Sequence, residues 1–200
     1  MGNKQSGPSR LWLLLLVAVT FILFQYTGNS KIPEPAADEM PDSADVISKL
    51  KVSVRQVSSS PPKLALAVTN ADSRAVTILR WNSPLDPLAL QLGVVSFVPA
   101  GSDSPIHMPT IQIRRKMPPG PESLVTIGAG QTKEQELELR APIVPLEKLR
   151  GRASVVCSGE WISVWLSEAD TITKESLEKA GASDDSFGGS FQSEAVEIEL

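Results

Sequence analysis

One cysteine and one histidine in 200 residues remove whole classes of chemistry. Disulfide frameworks need cysteine pairs, and zinc or multi-histidine centres need several ligands of those types. A catalytic triad built on histidine would have to use His107. Aromatics make up only 5% of the chain, so each tryptophan weighs heavily in any core. A basic excess is also missing: 19 Lys and Arg against 23 Asp and Glu give a formal net charge of −4. That balance argues against a nucleic-acid partner, whose phosphates recruit cationic surfaces. There is no Asn-x-Ser/Thr glycan acceptor, since Asn82 and Ser83 are followed by Pro84. Length allows one ordinary domain and a tail.

What is present begins at the N-terminus. Leu11 to Tyr26 runs without a charge, with Lys4 and Arg10 before it and a polar stretch after it. As a helix it rises about 24 Å, somewhat short of the roughly 30 Å hydrocarbon core, and Thr27 and Gly28 extend it. Two readings of residues 11–28 stand side by side. Trp12 and Tyr26, at the two ends, suit an uncleaved signal anchor, because aromatics favour the membrane interface. Gly28, Asn29 and Ser30 equally suit the cleavage site of a signal peptide. Either way the membrane is the partner of this segment. The positive residues of the tail, 1–10, hold it in the cytosol. The chain is then a single-pass membrane protein with a lumenal or extracellular domain, or alternatively secreted. The opening MGNKQS also matches the N-myristoylation pattern, which makes Gly2 the candidate lipidation site. Residues 29–45, rich in Pro, Asp, Glu and Ala, read as a flexible acidic linker, with the folded domain at 46–200.

Within that domain the dominant period is two. Leu50, Val52 and Val54 alternate with polar residues, as do Leu64, Leu66 and Val68, and Val196, Ile198 and Leu200. Further strands are expected at Val76–Trp81, at Leu90–Val98 with Gly93 as a bend, at Ile111 and Ile113, at Leu124–Ile127, at Gln135–Leu139, and from Ala153 through Trp165. Thr173 to Ala180 gives one short helix, capped by Thr173 and stopped by Gly181. Seven or eight strands at roughly ten-residue spacing predict an all-β fold, an antiparallel Ig-like β-sandwich. A single Cys cannot supply the intersheet disulfide of antibody domains.

The runs VTNADSRAVTILRWNSPLD and IGAGQTKEQELEL resemble the Ig-like sandwich that precedes the catalytic domain of deuterolysin-type, lysine-specific metalloendopeptidases. RWNSPLDPLALQLG, RRKMPPGPESLVTI and APIVPLEKL look still more like small fungal proteins consisting of that sandwich alone. The likeness covers Leu50 to Leu200. It implies a stand-alone accessory module. The peptidases' His-Glu-x-x-His motif has no counterpart here, so their activity is not carried over to any position.

Candidate residues follow from local chemistry. Arg114, Arg115 and Lys116 form the sharpest cationic cluster, suited to docking an acidic partner or lipid headgroups, although basic residues also protect a strand edge. His107 reads as an exposed loop residue and Cys157 as a buried, inert thiol. Glu134, Glu136 and Glu138 share one strand face, as do Glu197 and Glu199. These read as solvated faces, and a cation site arises only if the two strands are neighbours. Asp184 and Asp185 fall in a flexible loop. Trp81, Trp161 and Trp165 are assigned to the core, with Trp161 and Trp165 on one face. No catalytic residue, cofactor or metal is expected. The expected function is a non-enzymatic interaction module with an unidentified protein partner. The alternative is an accessory or inhibitor-like module acting on a metallopeptidase in trans.

Overall fold

A computed structural model describes Gly2 and residues 42–149 and 151–200. The expected tail, the anchor or signal of 11–28 and most of the linker lie outside the described residues. Gly2 itself is exposed. Among the described residues no helix is long and apolar enough to cross a membrane.

Alternating sequence becomes two antiparallel sheets. Strands β1 (Leu50–Ser59), β2 (Pro62–Asn70) and β6 (Thr132–Glu138) form the smaller one, in the order β1-β2-β6. The larger runs β4 (Val95–Pro99), β7 (Arg152–Trp165), β3 (Val76–Leu79), β5 (Leu124–Ile127), with β8 (Phe187–Gln192) and β9 (Val196–Glu199) also paired to β7. Nine strands are therefore present among the described residues, where seven or eight were expected. Leu64, Leu66 and Val68 of β2 and Ala153, Val155 and Cys157 of β7 face each other across the core. On the outer face of β2, Ala65 and Ala67 are small enough to be covered from both sides, and Arg55 reaches over them to Glu134 at 2.9 Å.

The long strand β7 changes faces midway. Its ladder with β8 slips between Trp161 and Val164, and such a bulge reverses which side chains point inward. Trp161 packs in the core, 4.7 Å from the Phe191 ring. Val164, opposite Ile78, also enters the core, whereas Trp165 lies opposite Thr77 on the far side. There its indole N–H donates to Ser176 Oγ at 2.8 Å. Both tryptophans are buried, but the expectation of a shared face fails because of the inserted residue.

Other boundaries move for identifiable reasons. Helix α1 (Ser43–Ser48) starts from Asp42, whose carboxylate accepts from Ala44 N. Ser43 Oγ reaches Gly188 O at 2.9 Å and Val46 is buried, so residues 43–45, expected in the linker, belong to the folded domain, and the described residues include two short α-helices. Helix α2 (Lys174–Glu178) follows expectation, with Thr173 Oγ1 accepting from Ser176 N at 3.1 Å. The strand expected at Leu90 begins only at Val95, after Gly93 turns the chain at φ +77. Ile111 and Ile113 form no strand. Prolines at 105, 109, 118 and 119 bracket them, and proline removes the donors that a ladder requires. What remains is a single bond from Ile111 N to Gln91 O.

Two polar ties hold the sheets in register. Asn70, fully buried at the end of β2, donates to the carbonyls of Arg74, Ile127 and Gly128 and accepts from Asp72 N at 2.9 Å. Gln56, where β1 bulges, uses its side-chain amide as a strand would. It donates to Glu199 O at 2.6 Å and accepts from Glu199 N at 3.0 Å.

Beside Asn70, the Arg74 side chain hydrogen-bonds the Asp72 carboxylate and holds it well below the usual carboxylate range, against the opposing push of burial and with help from Lys49. A depressed folded pKa contributes stability that is present above the unfolded value of about 3.9 and is lost as pH falls through the folded value. Denaturant midpoints are therefore expected to drop below about pH 4. In Asp72→Asn the stability deficit seen at neutral pH should narrow over that range. A constant deficit across the titration would contradict this.

Candidate functional site

The run RWNSPLDPLALQLG folds into consecutive turns rather than a strand, because Pro84 and Pro87 withhold donors while Ser83 and Asp86 supply side-chain acceptors. Ser83 Oγ donates to Arg80 O at 2.7 Å and accepts from Leu85 N at 3.1 Å. Asp86, fully buried, accepts from Asn82 N at 2.8 Å and Leu88 N at 3.0 Å. Asn82 takes a left-handed conformation at φ 57, which asparagine tolerates better than most residues. From the smaller sheet, Gln135 reaches across to donate to the carbonyls of Pro84 and Asp86, each at 2.7 Å.

Onto this turn assembly comes the second run, RRKMPPGPES. Arg115 Nη2 meets Asp86 Oδ2 at 2.5 Å, and its guanidinium sits 5.7 Å from the centre of the Trp81 ring. The three expected docking residues therefore separate. Arg114 and Lys116 are exposed, whereas Arg115 is committed to a buried carboxylate and an aromatic face. There is no strand here for the cluster to protect.

Trp81 is half-buried, not a core residue. Strand β3 stops at Leu79, and Arg115 lies over the ring while part of the indole stays open to solvent. With Arg115 it stands between two open grooves. One, of about 670 Å³, is lined further by Leu92, Ile111, Ile113, Glu160 and Ile162. The other, of about 490 Å³, is lined by Arg80, Pro87, Arg114, Lys116, Pro118 and Glu122. Arg80 spends its guanidinium on carbonyls, from Nε and Nη2 to Leu85 O at 3.2 and 3.1 Å and from Nη1 to Glu122 O at 3.3 Å. Among the described residues no carboxylate lies at ion-pair distance from Arg80, Arg114 or Lys116. Ile111 and Met117, at 43% and 49% exposure, flank the cations.

Residues 49–200 match the model of the immunoglobulin-like domain. The chain belongs to that family. It is 30% identical over 155 residues to an uncharacterised secreted protein of Arthroderma benhamiae, covering 74% of this chain and 77% of the relative. The likeness to small fungal Ig-like proteins thus stands.

The remaining candidates take their places within the immunoglobulin-like domain. His107 and Asp103 are exposed in the segment between β4 and β5. Glu134, Glu136 and Glu138 lie exposed on β6, and Glu197 and Glu199 on β9, in different sheets. The two acidic rows do not meet, and among the described residues no group of acidic, Cys or His side chains has metal-binding spacing. Asp185 is anchored rather than loose. Burial pushes its carboxyl up, yet hydrogen bonds from Ser176, at 2.6 Å, and Ser183 outweigh that and hold it below the ordinary range. Burial alone pushes the Cys157 thiol up to about 12. The native domain is therefore expected to resist thiol reagents at about pH 8 and to react at one site once unfolded. Rapid labelling of the folded form would count against this. Asp86 and Asn82 were not singled out from sequence, although Ser and Asp between closely spaced prolines carry a turn signature.

Proposed function

We propose that the chain is a non-enzymatic immunoglobulin-like interaction module, secreted or tethered to a membrane through residues 11–28. It binds another protein at the Trp81–Arg115 surface. The observation that carries this reading is the grouping of Trp81, Arg115 and Ile111 around two grooves on hydrogen-bonded turns, with Met117 exposed on the same segment as Arg115. Trp and Arg dominate binding hot spots and Met is enriched at interfaces, because such side chains bury large areas or pair specifically. The secreted relative supports export of the domain.

Replacing Ile111 with a photo-crosslinking amino acid in producing cells is expected to capture one discrete protein. Hydrolysis of a substrate by the pure protein, lost in His107→Ala, would overturn the reading. Intact mass and protease protection of a C-terminally tagged chain in microsomes separate the two forms of export. A cleaved signal removes about 3 kDa, whereas an anchor leaves full mass with a protected tag. A second reading, an accessory module acting on a metallopeptidase in trans, rests only on the resemblance that the motifs of residues 50–200 bear to the sandwich of deuterolysin-type peptidases, which neither the family match nor the relative shares in name. A metallopeptidase as the crosslinked protein would decide for it.

A further inference from the structure

We infer that the groove beside Trp81 takes an acidic, extended peptide segment, with carboxylates on Arg114 and Lys116 and an apolar side chain against Trp81. This rests on the module being a binding protein and names its partner's chemistry.

Charge complementarity selects that occupant. The groove is lined by four cations, Arg80, Arg114, Arg115 and Lys116, and by one carboxylate, Glu122. Asp86 meets the charge of Arg115 from beneath, so two positive charges remain uncompensated on a chain whose net charge is −4. Arg80 is held at three hydrogen bonds to carbonyl groups, which keep it in place without neutralising it. Its fixed charge acts on a ligand with little reorganisation, while exposed Arg114 and Lys116 are free to pair with carboxylates. Such an arrangement speeds encounter and rejects cationic competitors.

The shape favours a chain over a lipid surface. Trp81 and Arg115 line both grooves, giving a path that crosses the indole and continues toward Ile111 and Ile113. Membrane-surface binding instead calls for a contiguous apolar face to enter the bilayer. Here Ile111 and Met117 lie on either side of the cations in the chain.

Calorimetry on the full chain in mild detergent tests the inference with a short synthetic peptide of Glu and Asp around a central Leu. Its Gln and Asn counterpart is the control. The acidic peptide should bind at least about tenfold more tightly than the control, and increasingly weakly with added salt. The double variant Arg114→Glu with Lys116→Glu should lose that binding, with an unchanged thermal melt because both side chains are exposed. Equal affinity for the two peptides, or undiminished binding by the double variant, would overturn the inference. Displacement of the peptide by soluble dihexanoyl phosphatidylserine, but not by the phosphatidylcholine analogue, would overturn it in favour of a lipid headgroup. If the acidic peptide fails while the Ile111 crosslink persists, the inference falls and the binding reading stands. An absent crosslink fells the reading itself.

Discussion

Asn70→Ala is expected to cost about 3–4 kcal/mol, read as a lower urea midpoint with an unchanged slope. The side chain is fully buried and satisfies three carbonyls and one backbone N–H. Alanine takes away the partner of all four: Gly128 O keeps its bond from Gln131 N, but the buried Ile127 carbonyl and Asp72 N–H lose theirs, and each such buried orphan costs about 1–3 kcal/mol. Asn70→Asp should be worse than alanine at neutral pH. A carboxylate accepts from Asp72 N but opposes its charge to the carbonyl oxygens of Arg74, Ile127 and Gly128. The order asparagine, alanine, aspartate in falling stability is the signature, because simple loss of side-chain volume would rank aspartate above alanine. Asn70 ends β2 in one sheet and binds the end of β5 in the other, so the loss also loosens the seam between sheets.

The second large effect separates three neighbouring cations. Arg115→Ala should cost about 3 kcal/mol, since it leaves the fully buried Asp86 carboxylate with backbone donors only. Arg114→Ala and Lys116→Ala should each stay within about 0.5 kcal/mol. Asp86→Ala combined with Arg115→Ala should cost less than the two single changes added together, as expected for directly paired groups. Equal, small effects at all three positions would mean that Arg115 does not tie the two segments together.

Much of this architecture was legible where polarity alternates. The strands around Leu50–Val54, Leu64–Val68 and Val196–Leu200 form as expected because one face of each packs into the core while the other meets water or small side chains. Thr173 likewise marks the start of its helix, since the cap is a local bond. Misjudged segments depend on distant partners. Nothing near Ser163 announces a bulge, because the slip is defined by pairing with β8. Trp81 looked like core on composition alone, yet its environment is set by Arg115, far away in the chain. Of the site, sequence exposed the cations and the proline-punctuated turns. It did not expose their meeting, which needs Asp86 buried by Gln135 from the opposite sheet.

The Gln56 amide has a bearing on how the domain behaves in a crowd. Sheet margins with idle backbone groups invite stacking of chain on chain, the first step toward filaments. Here a side chain imitates the peptide group that a neighbour would offer, and Ile106 N does the same service for Phe97 O beside β4. The fold thereby fills places on its own rim that another copy would otherwise take, so a concentrated solution of the domain has fewer idle edges to join.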